Sequence, residues 1–402
     1  MLRGIQLRLF WALLIVSDAV IANAYFRHSG ELSAQLHRYQ RQGGYIEQHY
    51  VSNQSFSVQS NSQWQWNQGR EQLSFATYLS TDQYDESRTY ADIRELIWTR
   101  TSDQWEISAG IGKVFWGVTE FNHLVDIINQ TDLVADIDGE AKLGQPIINL
   151  SLIKSWGMLD LLVLPGFRER TFPSAAGRMR TPVPVDTKNA QYQSDQGSRH
   201  IDYAVRWSHV QGSADLGIYL FEGTSREPIL LPPTDLTDSA NLRAIPYYQQ
   251  ITQIGVDTQY TRGKWLYKWE ARWRRNAQNQ YFAAQLGVEY AAYNLHKGGD
   301  LAIFFEYGWD EQKEHAFSGI QDDLFLGARW LFNNTQSGEL LAAINYDLDY
   351  KTRGAVFEFS QRAFKSSKFS LQARVFNTDD PRDVLQGLTA DDHIKMTLTL
   401  FF

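Results

Sequence analysis

The sequence predicts an all-β fold: a transmembrane, antiparallel, up-and-down β-barrel of about 18 strands, with 16 as the alternative count. Three observations predict it. From Ser29 onward, segments of about ten residues alternate in polarity, the period-two pattern of strands with unlike faces. The connections between segments also alternate, short and then long. The chain ends on one such segment, 393–402 (HIKMTLTLFF), in which Ile394, Met396, Leu398, Leu400 and Phe402 share a face. At the edge of a soluble sheet that strand would fray and aggregate. In a closed barrel it pairs with the first strand and turns its apolar face to lipid.

Taken in order, the chain opens with Arg3 and Arg8, an apolar run at 9–16 (LFWALLIV) and Ala22-Asn23-Ala24. A basic start, a short apolar run and a small-x-small tripeptide predict a secretory signal over 1–24, cleaved after Ala24, and the run is too short to span a bilayer. One barrel domain is expected over 25–402. Its first strand is expected at 31–40. Eight hairpins follow: 56–66 with 73–80, 90–100 with 105–112, 147–155 with 158–166, 200–210 with 213–222, 248–261 with 264–274, 281–293 with 300–310, 323–332 with 339–348, and 354–364 with 368–377. The segment 392–402 closes the series.

Within each hairpin the turn is short, for example Asn67-Gln68-Gly69 and Arg262-Gly263. Between hairpins most connections are long, at 41–55, 81–89, 113–146, 168–199, 223–247, 311–322 and 378–391; those near 276–279 and 349–353 are brief. Short periplasmic turns alternating with long external loops, with both termini periplasmic, are the pattern of bacterial outer-membrane barrels.

The apolar faces are plainest late in the chain: Trp265, Tyr267, Trp269, Ala271 and Trp273, then Phe282, Ala284, Leu286, Val288 and Tyr290. Aromatics gather at strand ends with aliphatics between, placing amphipathic rings at the two membrane interfaces. Mean hydropathy is −0.40, too polar for a helical membrane protein but ordinary for a barrel, whose inward residues dilute the lipid-facing ones. The chain has no cysteine, which excludes disulfides, thiol catalysis and Cys-ligated zinc. A net charge of −8 argues against nucleic acid as a partner.

The faces opposite the aromatic rows carry Lys264, Lys268, Glu270, Arg272, Arg274, Glu289, Glu306, Arg329, Asp347, Glu358, Arg362, Arg374 and Lys395. Charges inside a membrane barrel need water or counter-charges, so these positions predict either a hydrated pore or a salt-bridged interior that braces a closed barrel. A barrel of this strand number is wide enough for an aqueous channel.

The connection 113–146 holds Glu120, Asp126, Asp132, Asp136, Asp138 and Glu140 among Leu124, Val125, Ile127, Ile128, Leu133 and Val134. A loop this apolar must pack on something. It is expected to fold into the barrel and narrow it, its acids facing basic wall residues; the alternative is packing across the external rim. Asp136-Ile137-Asp138-Gly139-Glu140 lacks the ligand spacing of a calcium loop, and neither metal nor cofactor is expected.

Trp116-Gly117, the run Asp126-Ile127-Ile128-Asn129-Gln130-Thr131-Asp132, and Gly144-Gln145-Pro146 before a strand resemble porin-like proteobacterial outer-membrane barrels of uncharacterised function. The terminal strand is similar to the closing strand of Gram-negative outer-membrane proteins, whose final Phe is read by the barrel-assembly machinery. The resemblance implies a porin-like fold, an outer-membrane location, Phe402 as the assembly signal and passive transport, without naming a solute.

The expected function is a channel for passive diffusion of small hydrophilic solutes, in contact with outer-membrane lipid and with a homo-oligomer as a further expectation. The competing readings are a closed structural or adhesion barrel that binds partners through its long loops, and an outer-membrane hydrolase. The hydrolase needs a His within reach of a Ser or acid near the lipid-facing rim. The chain carries no Gly-x-Ser-x-Gly, His-Glu-x-x-His, P-loop or dinucleotide motif, so no enzyme activity is expected.

Overall fold

The computed structural model describes residues 24–233, 242–313, 316 and 319–402. The expected signal peptide lies outside them, apart from Ala24. The strands are β1 (Tyr25–Tyr39), β2 (Ser52–Trp66), β3 (Glu71–Asp82), β4 (Tyr90–Thr101), β5 (Trp105–Gly112), β6 (Gln145–Lys154) and β7 (Gly157–Pro165). After these come β8 (Gln191–Tyr192), β9 (Ile201–Gln211), β10 (Ala214–Thr224), β11 (Ile229–Leu231), β12 (Ile245–Tyr248), β13 (Gln250–Arg262) and β14 (Trp265–Arg275). The last are β15 (Gln280–Ala292), β16 (Asp300–Asp310), β17 (Asp322–Leu331), β18 (Glu339–Asp347), β19 (Arg353–Phe364), β20 (Ser367–Asn377) and β21 (His393–Phe401).

Eighteen of these form one antiparallel sheet in which each strand pairs with its neighbours in sequence. The short β8, β11 and β12 make a separate three-stranded sheet from the connections 166–200 and 225–249. The barrel closes where β1 pairs β21, from Glu31 opposite Phe401 to Tyr39 opposite His393. Phe402 extends this seam: its N–H donates to Gly30 O at 3.0 Å and its carbonyl accepts from Gly30 N–H at 2.8 Å. A closed ladder leaves no unpaired edge, which matters in lipid because each unpaired backbone group there costs several kcal/mol. The strand count is therefore the larger of the two expected.

The first strand begins at Tyr25, six residues before the expected 31–40, because it pairs with β2 from Tyr25 opposite Gln65 onward. Arg27 and His28 occupy adjacent positions on opposite faces, which hides the alternation in the sequence.

The expected lipid faces are the outward faces. Leu286, Ile344 and Leu398 are 50%, 55% and 43% exposed, and Trp265, Tyr267 and Trp269 are similarly uncovered. An apolar surface this continuous belongs in lipid rather than water. The buried apolar cluster lies inside the barrel. Trp116, Val125, Ile127 and Ile128 from the connection 113–144 pack on the inward residues Ile147, Leu162, Leu164, Ala204, Tyr219, Phe221 and Ile251. Strand β7 (GMLDLLVLP) consequently meets the loop with Leu162 and Leu164 on its inward face while Leu161 points outward with the other apolar faces, and its near-continuous apolar run records both.

Candidate functional site

The connection 113–144 touches the inward faces of β4, β10, β14, β16, β17, β20 and β21. Those strands are distributed around the whole barrel, so a single loop reaches them all only from within. Its first limb is fixed by two buried carboxylates. Glu270 on β14 accepts from the N–H groups of Val118 (2.6 Å), Thr119 (3.0 Å) and Val125 (3.1 Å) and from Thr119 Oγ1 (2.7 Å). Glu306 on β16 accepts from Glu120 N–H (2.7 Å) and Phe121 N–H (3.2 Å). Two wall acids therefore serve the backbone donors of a segment without regular structure, which would otherwise be buried and unpaired. Trp116 packs against Tyr219 of β10, their rings tilted by 38° with centres 4.8 Å apart, and the Arg206 guanidinium lies 5.1 Å from the Trp116 ring centre.

The second limb carries three of the loop's acids, Asp132, Asp136 and Asp138, to the walls formed by β4, β20 and β21. Asp136 meets Lys395 of β21 at 2.5 Å and Arg374 of β20 at 3.3 Å, and Asp138 meets Arg374 at 3.1 Å. Burial raises the Asp136 carboxyl, but Lys395 and Arg374 outweigh it and hold the group well below the usual carboxylate range. Burial and the neighbouring Asp136 push Asp138 up. Asp132 pairs with Arg94 of β4 at 2.5 Å and accepts from Tyr90 OH at 2.8 Å. Glu120 pairs with Arg329 of β17.

The remaining two acids act within the loop. Asp126 binds Lys142 at 3.0 Å, and burial pushes its carboxyl up against that partner. Glu140 meets His123 Nε2 at 2.9 Å and ties the two limbs together. Burial opposes charge on His123, but the bond to Glu140 prevails and raises its pKa.

Two further loops enter the mouth. Glu227, from the connection 225–249, lies between Arg272 (3.0 Å) and Arg274 of β14, while Asp310 of β16 holds the other side of Arg272 at 2.8 Å. Burial opposes the Glu227 charge, but the two guanidiniums keep its carboxyl well below the ordinary range. From the connection 166–200, Arg178 reaches across to Asp391 (2.5 Å), Tyr50 O (3.0 Å) and the Tyr39 ring (3.9 Å). Ser174 N–H donates to Asp85 at 3.0 Å and Tyr50 OH to Ala176 O at 2.9 Å. The segment 171–180 thus straps the mouth above β1–β3 and β21.

Of the wall positions expected from sequence, Lys268, Glu270, Arg272, Arg274, Glu306 and Asp347 are buried and inward. Lys268 pairs with Glu289 at 3.2 Å, and Glu358 accepts from Gln372. Asp347 accepts N–H bonds from Asp349 and Tyr350, both at 2.7 Å, at the external end of β18. Lys264 and Arg362 sit exposed at the turn ends of their hairpins. Sequence reading missed Arg94, Glu227, Arg178 and Asp310. Arg94 is the extra residue of a bulge between β3 and β4, so simple alternation assigns it to the wrong face. Glu227 and Arg178 lie in loops without periodicity. Asp310 was readable, since it follows Trp309 on the opposite face.

Three His contacts meet the distance set for a hydrolase: His123 Nε2 with Glu140 at 2.9 Å and His200 Nδ1 with Asp202 at 2.8 Å, both away from the lipid-facing surface, and, on the outward face, His28 Nδ1 with Ser62 Oγ at 3.0 Å. His28 and Ser62 are register partners on β1 and β2. Nucleophilic catalysis also needs a group that orients the imidazole and donors for an oxyanion, whereas the backbone here is committed to the sheet ladder. The pair is a cross-strand hydrogen bond.

No protein-family model matches the chain, and no curated protein matches its sequence. Among solved structures, OpdQ of Pseudomonas aeruginosa is similar in fold, with a TM-score of 0.53 at 10% identity over 96% of this chain and 99% of that one. OccK5 (OpdH) of the same organism has a TM-score of 0.52 at 8% identity, covering 94% and 98%. A mutant porin of Rh. blastica has a TM-score of 0.42 at 9% identity, covering 94% and 100%. The chain has a porin-like closed barrel fold.

Proposed function

We propose that this protein is an outer-membrane channel through which small hydrophilic solutes diffuse passively, and that the loop 113–144 narrows its lumen. The carrying observation is that loop's course: it is anchored to Glu270 and Glu306 at one end and to Arg374 and Lys395 at the other. A plate fixed to opposing walls sets the width of whatever passage lies beside it. The porin-like fold and the apolar outward face support the location, and the resemblance of the terminal strand supports Phe402 as the assembly signal.

A second reading, a closed barrel that meets partners through its external loops, draws on the strap 171–180 across the mouth and on the ion pairs that satisfy the interior charges. Reconstitution of the purified protein into planar bilayers separates the two. The channel reading expects stepwise single-channel currents; a silent membrane across a range of salts favours the closed barrel.

A further inference from the structure

The inward charges of β14, β20 and β21 are neutralised by the protein itself. Lys268, Arg272 and Arg274 on β14 are taken up by Glu289, Glu227 and Asp310, and Arg374 and Lys395 by the acids of the loop tip. The inward faces of β1–β3 are different. Register places Ser29, Asn61 and Ala76 in one row across them, with Gln63 and Ser74 in the next. A cavity of about 260 Å³ opens on this wall, lined among others by Arg27, Ser29, Asn61, Gln63, Ser74 and Glu95. Arg27 and Glu95 bring one charge of each sign, Phe75 and Ala76 are apolar, and the other lining residues are amides and hydroxyls. Glu31, between Gly30 and Leu32 on β1, adds a further carboxylate to the same wall.

Such a wall offers donors and acceptors in mixed order, which is what a solute with many hydroxyl groups requires. It replaces the hydration of those hydroxyls bond for bond as the solute advances. An ion gains less there, because it sheds water without meeting a run of opposite charge. Resting on the channel reading, we infer that the preferred solutes are small, uncharged polyhydroxyl compounds that move along the β1–β3 wall, and that Glu31 and Glu95 place cations ahead of anions among charged solutes of equal size.

The test uses the purified protein in liposomes preloaded with labelled glucose, glucosamine at a pH where it is protonated, or gluconate, three probes of similar size and different charge. Single-channel conductance of the same preparation is recorded in parallel. Glucose is expected to leave several-fold faster than glucosamine, and glucosamine faster than gluconate. The double substitution Asn61→Leu with Ser74→Leu is expected to slow glucose several-fold while the barrel keeps its heat-modifiable gel mobility. Conductance accompanied by gluconate release as fast as glucose overturns the solute class and leaves the channel standing, as does glucose release untouched by the double substitution. Absence of both conductance and release overturns the channel reading and this inference with it.

Discussion

Glu270 is the side chain on which the first limb of the inner loop depends. It is fully buried and accepts four hydrogen bonds from that limb. Three come from backbone N–H groups that have no regular structure to bond within. Glu270→Ala removes every acceptor at once. Each backbone donor left unpaired costs about 1–3 kcal/mol, so the three sum to roughly 3–9 kcal/mol, less where water enters from the lumen, while the Thr119 hydroxyl keeps Asn122 O as an acceptor. Glu270→Gln is gentler. One oxygen keeps its partners, while an NH₂ replaces the oxygen that serves Val125, for a loss of about 2–4 kcal/mol. At about 3 kcal/mol the population of the released limb rises roughly two orders of magnitude. The strand itself is unaffected, because its ladder bonds come from backbone. The assay is single-channel recording with gel mobility as the folding control. Conductance is expected to rise and fluctuate in the Gln variant and to rise further in the Ala variant, with the barrel intact. Wild-type conductance from a folded Glu270→Ala protein would refute the reasoning.

Other perturbations test the remaining contacts. Arg178→Ala leaves Asp391 buried without its cation, a loss of about 3–5 kcal/mol for the strap, so protease is expected to cut within 171–182 of the variant and spare the parent. The His123–Glu140 tie depends on pH. Its contribution is fully present below the unfolded pKa of about 6.5 and is lost as pH rises through the raised folded value, so current noise should grow on the alkaline side and Glu140→Gln should abolish that change. The Asp136 contact runs the other way. With its pKa depressed, its stabilisation is present above about 3.9 and is lost only as pH falls through the lower folded value, so the conductance difference between Asp136→Asn and the parent should persist from neutral pH down to about 4. At the seam, a side chain at Gly30 would put its Cβ 2.5 Å from the Phe402 ring, so Gly30→Val is expected to lower the temperature at which the barrel loses its compact gel mobility.

The barrel was legible because its signal is repeated many times. Trp265-x-Tyr267-x-Trp269 and Ile394-x-Met396-x-Leu398 each state which face meets lipid, and the turns between them fix the order. The loop's burial was legible too, since Val125, Ile127 and Ile128 have no place in a solvated connection. What alternation could not supply was the partner of each charge. Alternation places Lys264, Lys268, Arg272 and Arg274 on one strand without naming their partners; in the structure Glu227 and Asp310 occupy Arg272, Glu227 occupies Arg274, and Lys264 lies at a turn. Those partners arrive from connections whose course depends on the closed barrel. Arg94 needed a bulge, and a bulge leaves no mark in a polarity pattern.

The central claim is that 113–144 lies inside the barrel and limits the passage beside it. Replacing 120–140 with a short Gly-Ser linker and recording single channels in planar bilayers tests it most directly. Larger unitary conductance than the parent, from protein that retains the compact barrel band, is the predicted result; equal conductance would contradict it.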